Sequence, residues 1–284
     1  MARNVFLVAV AAVVVLGAVV FLAGRGTDDG SGAGGLTGGD FHSVVVDPAD
    51  SSRVFVGGHE TVSVSSDGGA TWEEVKSLRD ADAMGWAFTG AAVYVSGHPG
   101  LNRSTDGGRT FDRINEGLPN TDVHAFGGND EVLYGASPAT GVFASTTTPG
   151  GWESRTASAG QSFFGRIIVD PDDPDHVFAA DASAGVAESS DGGRTWRRVD
   201  SGLSSSTWLS RGGEGLDMLV ASGPAGAARS TDGGRSWERL VLPDGATLVE
   251  AVPGDPDLLY AGIHRGSRVE VQRSRDGGAS WSSP

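Results

Sequence analysis

The sequence predicts an all-β protein: a six-bladed β-propeller of four-stranded blades, preceded by one N-terminal transmembrane helix. Three observations carry that expectation. An eight-residue motif recurs at near-constant spacing, short β-rich runs alternate with Gly, Pro and Asp turns, and an uncharged apolar stretch lies close to the N-terminus.

The apolar stretch comes first. Residues 5–23 read VFLVAVAAVVVLGAVVFLA and carry no charge. As a helix rising 1.5 Å per residue they span roughly 28 Å, about one hydrocarbon core. Arg3 precedes the run, while Asp28 and Asp29 follow it, and positive charge on the short flank favours an inside N-terminus. The expected order is a cytoplasmic N-terminus at 1–4, a signal-anchor at 5–23, a Gly-rich linker at 24–40 and the propeller at 41–284. A cleaved signal peptide, giving a secreted protein, is the competing reading. Against it, the run exceeds the usual 7–15-residue apolar region, and Phe21 and Leu22 stand where small residues precede a cleavage site. Both readings put the bulk of the chain outside the cytoplasm.

The repeat comes next. Ser-x-Asp-Gly-Gly-x-(Thr/Ser)-(Trp/Phe) occurs at 65–72, 104–111, 189–196, 230–237 and 274–281, and a worn copy fills 145–152. With Thr147 standing for the missing Asp, successive copies are 39, 41, 44, 41 and 44 residues apart. Each repeat reads as four short strands. In the fourth they fall at 166–170, 176–180, 186–189 and 195–199, with turns between them. Four-stranded units of about 40–45 residues are the sequence signature of propeller blades.

Within the motif, Asp67, Asp106, Asp191, Asp232 and Asp276 are expected to staple a hairpin by accepting backbone N–H groups a few residues on. The Gly pair supplies positive φ. An acid repeated in every unit fits a structural role, since one active site needs one set of residues. Because each repeat holds its own four strands, no strand is expected to cross from one terminus to the other. Blade six should meet blade one by side-chain packing, with Trp72 and Trp281 in contacts between blades.

Composition excludes several functions. A formal charge of −15 and a pI near 4.7 argue against nucleic-acid binding, which needs a basic face. The absence of Cys removes disulfides, thiolate metal sites, Cys nucleophiles and a lipid-modified Cys anchor. No G-x-S-x-G elbow, P-loop, dinucleotide fingerprint or H-E-x-x-H helix is present.

The five intact motifs resemble the Asp-box, or BNR repeat, of sialidases, sortilin-type receptors, xyloglucan-hydrolysing enzymes and photosystem assembly factors. The run from 84 to 134, with Gly-His-Pro at 97–99 and Asp-Val-His-Ala-Phe at 122–126, also resembles bacterial secreted propellers often labelled glycosyl hydrolases. The resemblance implies the fold rather than the chemistry. Sialidases use a Tyr nucleophile, an Arg trio and an acid/base Asp. Here Tyr94, Tyr134 and Tyr260 share one place in the second strand of their repeats, which points to packing, and the sialidase Arg-Ile-Pro opening is missing. Asp40, Asp80, Asp82, Asp122, Asp181 and Glu60 can lie near one face, but no spacing pairs any two as hydrolysis by carboxylates requires.

Histidines give a more specific signal. The loop after the second strand and the start of the first strand lie at one end of a blade. His59, His98 and His264 follow second strands, and His42 and His124 open first strands. These five therefore map to the mouth opposite the Asp-boxes, whereas His176 maps to the Asp-box end. Neutral imidazoles facing one mouth suit zinc or copper, with His42, His98 and His124 as the candidate ligands; solvated or hydrogen-bonded loop histidines are the competing reading. Arg103, Arg229 and Arg273 are expected to face solvent on blade surfaces. The function expected is a membrane-tethered, extracytoplasmic propeller that binds a protein or glycan at the His-bearing mouth. Its alternatives are a glycoside hydrolase and a metal-binding propeller.

Overall fold

The computed structural model describes residues 36–37, 41–145, 150–265 and 268–284. The expected transmembrane helix, and most of the expected linker, lie outside these residues. Among the described residues no helix is long and apolar enough to cross a membrane.

A two-residue strand, β1 (Leu36–Thr37), precedes the repeats. The first repeat forms β2 (Phe41–Asp47), β3 (Asp50–Gly58), β4 (Val62–Ser65) and β5 (Glu73–Glu74). The second forms β6 (Gly85–Phe88), β7 (Val93–Gly97), β8 (Gly100–Ser104) and β9 (Asp112–Arg113). In the third are β10 (Ala125–Gly128), β11 (Leu133–Ser137), β12 (Gly141–Ser145) and β13 (Glu153–Thr156). The fourth holds β14 (Phe163–Val169), β15 (Val177–Asp181), β16 (Gly185–Ser189) and β17 (Arg197–Val199), close to the strands expected from its sequence. The fifth has β18 (Trp208–Arg211), β19 (Leu219–Gly223), β20 (Gly226–Ser230) and β21 (Glu238–Leu240). The last supplies β22 (Ala246–Val252), β23 (Asp255–Arg265) and β24 (Arg268–Ser274).

These strands build four four-stranded sheets and one eight-stranded sheet. The eight-stranded sheet is two antiparallel halves, from repeats three and four, joined by a short parallel pairing of β10 with β14. The first strands of successive repeats pack side by side, and β22 of the last returns to β2 of the first. Second strands are covered on both faces. All five residues of β7, β11 and β19 are buried, so they read as continuous runs of apolar and small residues rather than as an alternation. The fourth strands are mostly exposed at the rim.

One expectation fails at the closure. β1 pairs antiparallel with β24, Leu36 opposite Val269 and Thr37 opposite Arg268, so the last sheet takes its outer strand from the N-terminal side. The physical reason lies in strand length. After the final motif a single bridge, Ser282 to Arg273, pairs one end of β24. The other half of the long β24 needs a partner, because an open edge of N–H and C=O groups invites pairing with other chains.

The motif hairpins behave as staples. Asp191 Oδ1 accepts from Ser189 Oγ at 2.8 Å, Arg194 N at 3.1 Å and Thr195 N at 2.8 Å, and Oδ2 accepts from Thr195 Oγ1 at 2.7 Å. Asp67, Asp106 and Asp232 repeat the set, and Asp276 repeats all but one bond. So many donors favour the ionised form. Hydrogen bonds from the Thr or Ser hydroxyl and backbone hold Asp67, Asp191, Asp232 and Asp276 at about 2, and lower Asp106 too.

The Gly pair also sets contact between repeats. A Cβ at Gly108 would lie 2.9 Å from the Phe55 ring of the preceding repeat, and one at Gly234 3.0 Å from Phe178. Gly68 meets Tyr260 and Arg273 of the last repeat, and Gly69 meets Pro284. The expectation that Arg229 faces solvent is corrected: it is half-buried and donates from Nη1 to the Gly277 carbonyl of the next repeat at 3.0 Å. Trp72 packs on a core cluster that includes Tyr260 and Val271 of the last repeat, and Trp281 donates to Val241 O of the fifth at 3.2 Å.

Near the axis the first strands meet at one buried acid. Glu250 of β22 is fully buried; its Oε1 accepts from Arg166 Nη1 of β14 at 2.8 Å and its Oε2 from Trp208 Nε1 of β18 at 3.0 Å. The Val46 amide of β2 reaches Oε1 at 3.5 Å. Burial pushes the carboxyl up to about 7, with Arg166 acting in the opposite direction.

Candidate functional site

Strand register fixes the two ends of the sheets. Phe41 pairs with Gly58, Gly85 with Ser96 and Ala125 with Ala136, so the start of each first strand lies beside the end of the second. His42, His59, His98 and His124 occupy that end. His264, on β23, packs edge-on against Phe41 there with ring centroids 5.4 Å apart. His176 lies at the motif end, with Nδ1 3.1 Å from Asp170 Oδ2 and Nε2 3.1 Å from Glu188 Oε1.

A bulge presents the first histidine. Register shifts between Phe41 and Ser43, so His42 is the extra residue in β2, a device that re-aims a side chain at the end of a ladder. Its ring meets that of His59 edge-on at 4.5 Å. Between them sits Asp82. His42 Nε2 is 3.5 Å from Asp82 Oδ1 and His59 Nδ1 is 3.2 Å from Asp82 Oδ2. One ligand-type atom from each of the three residues falls within 4.8 Å of the others.

Asp82 is placed by its backbone. Its amide donates to His98 O at 3.0 Å, and the next amide, of Ala83, donates to Gly58 O at 3.1 Å. Gly97 makes room, since a Cβ there would stand 1.8 Å from Asp82 O. Ser43 Oγ donates to Ala83 O at 2.8 Å and accepts from Trp86 Nε1 at 2.9 Å, tying the same segment to the core. The Asp82 side chain is only 6% exposed. Burial pushes its carboxyl above the usual carboxylate range, the charges of His59, His124 and His98 pull it down, and that of Asp122 pushes it up.

The rest of the mouth extends from this trio. His124 Nε2 is 2.9 Å from Asp122 Oδ1. The Phe164 ring lies 5.2 Å from the ring of His124 and 5.9 Å from that of His42. His98 and His59 are exposed, His42 and His124 half-buried. The structure thus brings His42 together with His59 and Asp82, while His124 sits with Asp122 and Phe164. Sequence reasoning noticed Asp82 and Asp122 only among six scattered acids. Their nearness to histidines comes from neighbouring repeats meeting in space, which no motif announces. Phe164 escaped notice because it belongs to an ordinary β run.

The tyrosines are core residues. Tyr94, Tyr134 and Tyr260 are 4%, 1% and 1% exposed. Tyr134 donates its hydroxyl to Pro174 O at 2.9 Å, and burial pushes it up to about 12.

No family model matches this chain, and no curated protein does. Solved structures do. The chain resembles a GH74 xyloglucanase from Xanthomonas campestris, with TM-score 0.58 and 19% identity over 88% of this chain; it spans 46% of that enzyme. It resembles YCF48 bound to a D1 peptide, with TM-score 0.56 and 16% identity over 88% of this chain and 84% of the other. A chain of a nidogen/laminin complex aligns with TM-score 0.63 and 12% identity over 82% of this chain and 93% of that one. At such identities the likeness speaks to fold alone, and with the sheets described above it establishes a β-propeller.

Proposed function

We propose that this chain is a ligand- or protein-binding propeller of six Asp-box blades, tethered to the membrane by residues 5–23 and held outside the cytoplasm. Its binding face is the mouth that carries His42, His59, Asp82, His98, Asp122 and His124. The observation that carries this reading is the convergence there of imidazoles and acids from three repeats, with His42 and His124 both packed on the ring of Phe164. At the opposite end the repeated acids are consumed by their own hairpins. YCF48 with its D1 peptide and the nidogen/laminin complex are propeller-type structures with a peptide or protein partner, which supports the same use here. The GH74 likeness supports a propeller equally well, so hydrolysis is an outcome of the test.

The test places a photo-crosslinking residue at position 98 or 59 of the full chain in its native envelope, and at position 109 or 235 on the motif end as controls. Adducts from 98 and 59 and none from the controls are expected. Adducts confined to the motif end would overturn the assignment of the face. Turnover of xyloglucan or a sialoside by the purified chain, abolished by one carboxylate substitution, would overturn the binding-only reading.

A further inference from the structure

We propose that His42, His59 and Asp82 bind one divalent transition-metal ion of the zinc class. This deepens the reading of the mouth as the binding face, and its test can fail separately from that reading.

The argument starts from spacing. In a tetrahedral site with bonds of about 2.0–2.1 Å, neighbouring ligand atoms stand roughly 3.3 Å apart. His59 Nδ1 lies 3.2 Å from Asp82 Oδ2 and His42 Nε2 lies 3.5 Å from Asp82 Oδ1, so each imidazole stands at about that distance from one of the two carboxylate oxygens. The second is too long for an ordinary hydrogen bond to carboxylate. All three donors fall within 4.8 Å, so a small inward movement suffices to close on an ion.

Burial gives an independent argument. Asp82 is more than nine-tenths buried, and its Oδ1 accepts no hydrogen bond. A buried carboxylate oxygen without a donor is costly, and a cation between it and the two imidazoles removes that cost. The segment is also held as a ligand should be. The Asp82 amide on His98 O, the tight fit against Gly97 and the Ser43–Ala83–Trp86 chain fix the carboxylate from behind, and supporting contacts of this kind orient metal ligands. The bulge at His42 turns the third donor toward the same point.

Donor chemistry narrows the ion. Two imidazoles and one carboxylate suit zinc and its first-row neighbours rather than calcium or magnesium, which prefer all-oxygen shells. Three protein ligands leave a position open. His59 is 48% exposed, so that position faces the mouth, where a donor atom of an incoming ligand can complete the shell.

The experiment uses the purified full-length chain in detergent, stripped with a chelator and titrated with zinc chloride by calorimetry. Metal content and melting temperature are measured on the same samples. One zinc per chain is expected, with a higher melting temperature when loaded. His59→Ala and Asp82→Asn should each weaken zinc binding by at least about 100-fold, since even outer-shell losses cost about 10–100-fold. His264→Ala, on the same rim but packed on Phe41 and outside the trio, should bind as the wild type does. Should Asp82→Asn fail to fold, the exposed His59 carries the test. No saturable binding by the wild type, or equal binding by His59→Ala, overturns the site. Crosslinking from position 98 is then repeated on chelator-stripped protein: adducts that persist without zinc binding leave the mouth as the binding face while the metal assignment falls.

Discussion

Glu250→Ala removes the acceptor that gathers the inner strands of the first, fourth, fifth and last repeats. The loss strands the Arg166 guanidinium, whose side chain is 12% exposed, and the Trp208 indole N–H, in a fully buried side chain. Breaking a buried pair by removing one partner typically costs about 3–5 kcal/mol, because the surviving charge stays without a counter-charge. In a domain of this size each kcal/mol shifts the melting temperature by about 2–4 °C, so a fall of roughly 10 °C is expected. Scanning calorimetry and urea unfolding should agree on it. The double variant Arg166→Met/Glu250→Leu leaves no stranded charge and should recover at least half of the loss. A single variant within about 1 kcal/mol of the wild type, or a double variant as weak as the single, would refute the reasoning.

Other perturbations follow from the same geometry. Glu250 is raised from 4.5 to about 7, so its contribution to stability is full below about 4.5 and lost as pH rises through 7. The motif aspartates are lowered from 3.8 to about 2, so theirs is full above about 4 and lost as pH falls through 2. Melting temperature measured from pH 2.5 to 8 should therefore peak roughly between pH 4 and 5, and Glu250→Gln should flatten the upper limb. Asp191→Ala frees the hairpin donors and should lower the melting temperature by roughly 3–8 °C while crosslinking from position 98 is unchanged; lost crosslinking at an unaltered melting temperature would contradict the staple role. Gly97→Ala drives a Cβ against Asp82 O and should weaken zinc binding more than it lowers the melting temperature; unchanged binding would show that the backbone there does not set the carboxylate. Replacing Leu36 and Thr37 with proline removes the ladder donors of β1 and should lower the melting temperature, read by circular dichroism, without moving zinc affinity.

Most of the architecture was legible because it is written in repetition. The motif spacing, the turn glycines and the short β-rich runs mark hairpins, and hairpin order alone decides which loops share an end. That logic puts the five mouth histidines and His176 at opposite ends from the sequence alone. β1 was not legible, since two residues after a Gly-rich stretch carry no pattern and their pairing depends on the free edge that the distant β24 offers. Glu250 was missed as well. It looks like any charged residue in ATLVEAV, although an acid inside an otherwise apolar first strand, with Arg166 in another first strand to pair with it, is a signal that can be sought. Asp82 lies between repeats, so its role follows only from two blades meeting. Arg229 was misjudged because the face of a propeller strand is covered by the neighbouring blade, not by water.

The Arg166–Glu250–Trp208 junction also couples the repeats. Side chains from three inner strands and the Val46 amide of a fourth converge on one carboxyl group, so four repeats are tied across the boundaries of their sheets and not only to their neighbours along the chain. A disturbance in one of these inner strands is passed to the other three, and the repeats should melt as one cooperative unit instead of peeling away in sequence.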